Sequence, residues 1–90
     1  MSNFIIAETE TFIKKRNSPR FKGLYKKIRD YVYPQLRANP YFGPHIKKLK
    51  GDYHEVYRYR IGEYRLFYAI EKEKVILFIL NLEHRQSAYD

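Results

Sequence analysis

Arginine side chains concentrate in the second half of the sequence, in a pattern that suits phosphate binding. Side chains alternate along a strand, so Arg58 and Arg60 point to the same face. If Ile61-Gly62 is a two-residue hairpin loop, Arg58 lies opposite Arg65 and three arginines share that face. A guanidinium group can make two parallel hydrogen bonds to phosphate oxygens and stays charged at physiological pH. The spacing therefore predicts a phosphate-binding cluster.

Like charges that face each other across a sheet need a reason, because such a pair costs roughly 0.2 to 1 kcal/mol. A bound phosphate would supply that reason. The alternative is an ordinary surface, on which each arginine pairs with Glu55, Glu63 or a tyrosine hydroxyl.

A second group of chemically capable residues follows the last predicted strand. The segment 83–89 contains His84, Arg85 and Tyr89 within seven residues. Histidine can move protons near neutral pH, arginine can stabilise charge that develops on phosphorus, and a tyrosine hydroxyl can protonate a leaving oxygen. The group suits phosphodiester cleavage, although a histidine beside an arginine is also common on solvated surfaces.

Basic residues outnumber acidic ones by 18 to 10, for a net charge of +8. This charge attracts polyanions, so nucleic acid, an anionic membrane and an acidic protein all fit as partners. Lys47, Lys48 and Lys50 precede the hairpin and are predicted RNA contacts. A longer basic run on the predicted helices contains no acidic residue and either faces solvent or holds polyanions: Lys14, Lys15, Arg16, Arg20, Lys22, Lys26, Lys27 and Arg29.

Length and composition exclude several classes of protein. The 90 residues predict one domain over 1–90, and the absence of cysteine excludes disulfides, thiolate metal sites and thiol catalysis. His45 and His54 lack the spacing of metal ligands, so surface roles are expected for both. The apolar run 4–7 is too short for a signal peptide or a membrane span, which predicts a cytoplasmic protein without a membrane partner.

The first half of the chain predicts a strand and two helices. Residues 4–7 are typical of a buried strand, and the acidic and capping residues after them predict a helix that ends near Arg16. Residues 17–19 interrupt it. Apolar side chains in 21–32 recur at the spacing of one helical face, so a second helix is expected to end or kink at Pro34.

The second half predicts a β-meander. The stretch after the second helix, rich in proline and glycine, is expected to be a loop. Residues 53–60, 64–70 and 75–82 are rich in aromatic and β-branched residues and predict three antiparallel strands, of which the last is central. The predicted fold is α+β: a mostly antiparallel four-stranded sheet with two N-terminal helices packed on it.

Several of these segments together resemble the RelE toxins of the RelE/ParE toxin–antitoxin superfamily. The resemblance lies in Leu49-Lys50-Gly51, in Glu63-Tyr64-Arg65-Leu66-Phe67-Tyr68, and in Glu83-His84-Arg85 with Tyr89 four residues after the arginine. It implies the strand, two helices and three strands of a RelE-like domain.

The resemblance also implies a function. RelE toxins enter the ribosomal A site and cut mRNA without a metal or cofactor, through attack of a ribose 2′-hydroxyl on the neighbouring phosphate. Arg65 and Arg85 would stabilise the transition state, Arg58 would match a basic residue of the family, and His84 or Tyr89 would transfer protons. Arg60 and the three lysines near the hairpin would add RNA contacts.

The implied partners are an antitoxin, whose acidic or amphipathic segment wraps the toxin, and operator DNA, reached only through that antitoxin. Val56 departs from the family pattern, since founding members carry a lysine there, which leaves the proton acceptor open. Two other activities therefore stay open: inhibition of DNA gyrase, as in ParE toxins, and binding of RNA or antitoxin without catalysis.

Overall fold

The computed structural model describes residues 3–49 and 55–84, in which one helical layer covers one face of a five-stranded sheet. In chain order the elements are β1 (Ile5–Glu8), α1 (Glu10–Arg16), a 3-10 turn (Pro19–Phe21), α2 (Lys22–Lys27), a π-helical turn (Ile28–Val32), α3 (Tyr33–Ala38), β2 (Ile46–Lys48), β3 (Val56–Ile61), β4 (Tyr64–Glu71) and β5 (Ile76–His84). Within these residues, no helix is long and apolar enough to cross a membrane.

The sheet order is β1-β5-β4-β3-β2, with β1 parallel to β5 and the other neighbours antiparallel. The α+β class, the helices ahead of the meander and the interior position of β5 confirm the prediction. The strand β2 was predicted as a loop. It has three residues, of which only Ile46 is apolar, so it carries too little of the alternating pattern that marks a strand.

The helical layer continues past Pro34 after an interruption of the regular α-helix, which lies where the sequence predicted an end or a kink. Proline lacks a backbone N–H and its ring crowds the carbonyl one turn earlier. Here Pro34 stands in the first turn of α3, where a missing donor is tolerated. The π-helical turn precedes it, with the Tyr33 N–H donating to the Ile28 carbonyl, and this wider turn lets the chain continue to Ala38.

One hydrophobic core lies between the helices and the sheet. Tyr68, at the centre of the sheet, is fully buried and donates its hydroxyl to the Pro40 carbonyl at 2.7 Å, which anchors the loop after α3. The Tyr59 hydroxyl donates to Gln35 Oε1 at 3.1 Å and ties β3 to α3. The other buried apolar residues of this core are Phe12, Phe21, Ile28, Val32, Tyr33, Leu36, Tyr57, Ile61, Leu66, Ile70, Leu77, Ile79 and Leu82.

Thr9 connects the edge strand β1 to the first helix. Its hydroxyl accepts a hydrogen bond from the Phe12 N–H at 3.3 Å, which caps α1, and donates to the Ile79 carbonyl of β5 at 2.7 Å. One side chain therefore sets both where the helix begins and how it meets the sheet.

The Glu8 carboxylate joins β1 to two further parts of the helical layer. It accepts hydrogen bonds from the Tyr25 and Tyr33 hydroxyls, both at 2.8 Å, and from Arg16 Nε at 3.1 Å. Burial raises the pKa of Tyr33, and the bond to Glu8 raises it further, so this hydroxyl remains a donor. Three side chains spread along the helices thus converge on one carboxylate of the edge strand.

We expect Glu8→Gln to lower the free energy of unfolding by about 1 to 3 kcal/mol, because the substitution removes the charge that strengthens these hydrogen bonds. Urea denaturation followed by circular dichroism measures the change. Glu10→Gln is the matched control, since the side chain of Glu10 is 87% exposed and only faces Lys14 across a surface pair. Equal stability losses in the two variants would contradict the role given to Glu8.

Candidate nucleic-acid interface

The hairpin between β3 and β4 has a different register from the predicted one. Its loop is Gly62-Glu63, so Ile61 lies opposite Tyr64, Arg60 opposite Arg65, and Arg58 opposite Phe67. The predicted pairing of Arg58 with Arg65 is therefore wrong. Ile61 is only 6% exposed and belongs to the core, and Gly62 adopts a φ of +56°, which glycine accepts easily. Burial of Ile61 holds it in the strand and moves the turn one residue onward.

The corrected register still places the three arginines on one face, because cross-strand partners share a face and alternate residues do too. Lys47 of β2 lies opposite Arg58 and joins them. We call Lys47, Arg58, Arg60 and Arg65 the basic face; it lies on the side of the sheet away from the helical layer. Four cations within three neighbouring strands suit a phosphate backbone.

Arg65 differs from the other members of the basic face in its burial. Its exposed fraction is 7%, whereas Arg60 is exposed and Arg58 is half-buried. Its neighbour on β5 is Glu83, which accepts a hydrogen bond from Asn81 Nδ2 at 2.9 Å. A guanidinium with so little exposed surface has little room to change its position.

His84 lies on the other side of the sheet. It stands opposite Tyr64, with the two ring centroids 5.1 Å apart and the rings perpendicular. The ring of Tyr64 in turn packs edge-on against the ring of Phe21 in the helical layer, with 5.6 Å between the ring centroids. The strand alternation therefore separates His84 from Arg65, which the sequence had grouped together as one candidate site.

One more of the predicted site residues lies on the helical side of the sheet. Lys48 lies opposite Tyr57 on the helical side, with Nζ 6.0 Å from the centre of that ring. The predictions for Lys50, His54, Arg85 and Tyr89 fall outside the described residues. In the part of the chain that is described, no group of three histidine, aspartate or glutamate residues could hold a metal ion.

A second basic surface lies on the helical layer, in a depression of about 500 Å³ between α1 and α2. Two carboxylates reduce its charge: Asp30 pairs with Lys26 at 2.9 Å and with Arg29 at 3.1 Å, and Glu8 pairs with Arg16 at 3.1 Å. The basic run in the sequence indicated this surface, but not the carboxylates that fold back onto it.

Comparison with known proteins agrees with this architecture. The sequence profile of the family described as ParE toxin of type II toxin-antitoxin system, parDE, matches residues 11–89. RelE1 of Methanocaldococcus jannaschii is 33% identical over 73 residues, which cover 81% of this chain and 73% of that protein.

Two solved structures are similar in fold. The archaeal RelE–RelB complex from Pyrococcus horikoshii gives a TM-score of 0.72 at 24% identity, over 96% of this chain and 99% of that one. The isolated RelE toxin of E. coli gives a TM-score of 0.67 at 22% identity, over 94% and 87%. The chain belongs to the RelE/ParE superfamily of toxins from type II toxin–antitoxin systems.

The register makes a prediction about Arg60. Because Arg60 and Arg65 face each other directly, we expect Arg60→Thr to raise the free energy of unfolding by roughly 0.2 to 1 kcal/mol while it weakens binding to RNA. Thermal or urea unfolding and RNA titration measure the two effects.

Lys48→Thr is the control, since it also removes one positive charge from the sheet but Lys48 lies opposite Tyr57, so no directly opposed charge is relieved. A gain of stability in Arg60→Thr no larger than that in Lys48→Thr would contradict the opposed pair.

Proposed function

We propose that this toxin is a metal-independent, ribosome-dependent mRNA endoribonuclease that inhibits translation. The observation that carries the proposal is Arg65, buried on a basic face whose other members are half-buried or exposed. A toxin that only blocks another protein has no evident need for a pre-organised guanidinium beside three further cations. An enzyme that stabilises extra charge on a phosphate does need one.

The reaction is a transesterification. The ribose 2′-oxygen forms a bond to phosphorus, the bond from phosphorus to the 5′-oxygen breaks, and a proton passes from the 2′-hydroxyl side to the leaving oxygen. Arg65 and Arg85 stabilise the extra negative charge on the phosphate, and Arg58 assists them. Arg60, Lys47 and Lys50 are proposed to hold the RNA strand, whereas Lys48 lies on the helical side of the sheet and is not assigned to this contact.

Proton transfer is assigned to Tyr89 before His84. The register directs His84 to the helical side, with its ring against Tyr64, away from Arg65. A tyrosine hydroxyl can act as a general acid toward the leaving oxygen. His84 then has a structural role at the end of β5.

The partners in this proposal are the mRNA in the ribosomal A site and an antitoxin. The similar archaeal structure is a complex of RelE with RelB. A net charge of +8 suits an antitoxin with an acidic or amphipathic segment that wraps the toxin. Contact with operator DNA is proposed to occur only through the antitoxin.

The match to the ParE toxin profile favours a second candidate, inhibition of DNA gyrase. In that case the basic face would bind the gyrase–DNA complex and no RNA bond would break. The two candidates differ in their products, so one pair of assays separates them.

We expect purified toxin to cut mRNA on programmed ribosomes into an upstream fragment with a 2′,3′-cyclic phosphate and a downstream fragment with a 5′-hydroxyl. Cleavage should persist when a chelator removes other metal ions while enough free magnesium remains to keep the ribosome intact. A 2′-O-methyl group at the cut position should prevent cleavage. Arg65→Ala and Arg85→Ala each reduce the single-turnover rate by about 100-fold or more.

Arg29→Ala is the matched control, since it removes an exposed arginine from the helical layer and should change the rate less than about threefold. Because Arg65 is buried, circular dichroism must show that its variant is folded, and Arg85→Ala provides an independent test. Intact mRNA together with blocked supercoiling by gyrase would replace the nuclease with the second candidate.

A further inference from the structure

A cleft of about 100 Å³ separates the helical layer from the β2–β3 edge of the sheet. One wall is Tyr31 and Val32 of the π-helical turn, and the other is His45 with the end of β3. The described lining residues are Lys27, Tyr31, Val32, His45, Tyr59, Arg60, Ile61 and Gly62. The proposed nuclease mechanism uses none of the aromatic residues in this cleft.

The aromatic rings of the cleft differ in how firmly they are held. Tyr59 is 3% exposed and its hydroxyl bonds to Gln35, so its ring is a fixed surface. His45 packs on it, with 5.5 Å between ring centroids at an angle of 49°. Tyr31 is 61% exposed, which leaves its ring accessible at the rim. The cleft therefore combines a supported ring pair with an open aromatic side chain.

The charged side chains among the described lining residues of the cleft have one sign. Lys27 and Arg60 border it, and no acidic residue is among its described lining residues. This differs from the larger depression between α1 and α2, where Asp30 and Glu8 pair with the cations. A cleft that is basic and aromatic suits an occupant with both a phosphate and a planar ring.

Arg60 connects the cleft to the basic face. It stands opposite Arg65 in the sheet register and also borders the cleft at the hairpin end. A strand held at the basic face can therefore continue around the tip of the β3–β4 hairpin and reach Tyr31. Arg60 is exposed and can contact a phosphate along this route.

We propose that this cleft binds an unpaired nucleotide of the RNA strand whose phosphates lie on the basic face, with its base stacked on Tyr31 and His45. The inference rests on the proposed function for the identity of the strand. It adds a site outside the cleavage chemistry and a preference for single-stranded RNA. A base within a duplex is stacked on its neighbours and cannot enter, whereas an unpaired base can turn out and stack on aromatic side chains.

The test measures binding without cleavage. A fluorescent RNA oligonucleotide with 2′-O-methyl groups throughout cannot be cut by 2′-hydroxyl attack, and its anisotropy reports the Kd for the full chain. We expect Tyr31→Ala to weaken binding by about 5- to 100-fold, the range found when one stacked base loses its aromatic partner. Tyr31→Phe keeps the ring and should stay within about twofold of wild type.

Phe42→Ala is the matched control, because Phe42 is 79% exposed but does not line the cleft. For Lys27→Ala, the fall of log K with log salt should be shallower by about 0.7, the value for one phosphate contact on a single strand. Tyr31→Ala and wild type should bind an RNA duplex of equal length with the same Kd.

Each outcome decides the inference. Equal affinities of Tyr31→Ala and Phe42→Ala for the single strand would overturn it, and so would equal losses on single strand and duplex. If the stacking effect is found but ribosomal mRNA stays intact, the cleft stands and the nuclease proposal fails. If mRNA is cut and Tyr31→Ala binds and cuts like wild type, the nuclease stands and the cleft proposal fails.

Discussion

The fold depends on how an edge strand of four residues is held against a helical layer. β1 pairs with the sheet on one side only, through β5, so backbone hydrogen bonds alone give it half the support of an interior strand. Glu8 and Thr9 supply the rest, since one carboxylate collects two tyrosines and an arginine, and one hydroxyl caps α1 while it bonds to β5. These contacts fix the position of the helices relative to the sheet.

This arrangement determines where charge can lie. The helices and their tyrosines cover one face of the sheet, and the core takes most of the alternate positions of β3, β4 and β5 that point toward them. The opposite positions carry no such packing demand, so arginine and lysine can occupy them at small cost in stability. Arg65 is the exception: it is buried as deeply as many core residues, yet it is an arginine. Burying a charged group is costly unless it is paired, so Arg65 is the residue of this face on which the proposed function rests.

Most of the fold could be predicted from the sequence, because hydrophobic periodicity reports directly on burial. The strand β1, the two helical regions and the meander all followed from it. The errors arose where another effect outweighed the local signal. β2 was too short and too polar to show alternation, and burial of Ile61 overrode the choice of turn residues. Tertiary packing decided each of these, and packing cannot be read from a local pattern.

The candidate site shows why misplacing the hairpin loop by one residue, which shifts the pairing of the strands by two, matters less for some conclusions than for others. The three arginines remained on one face, because a shift of the loop that changes Arg58's partner from Arg65 to Phe67 preserves the parity of positions 58, 60 and 65. Sequence proximity was a poorer guide for His84, since neighbouring residues of a strand point in opposite directions. Glu83 therefore shares the face of Arg65, and His84 joins Tyr64 and Phe21. For a site on a sheet, the alternation of side chains along a strand is therefore a better guide than closeness along the chain.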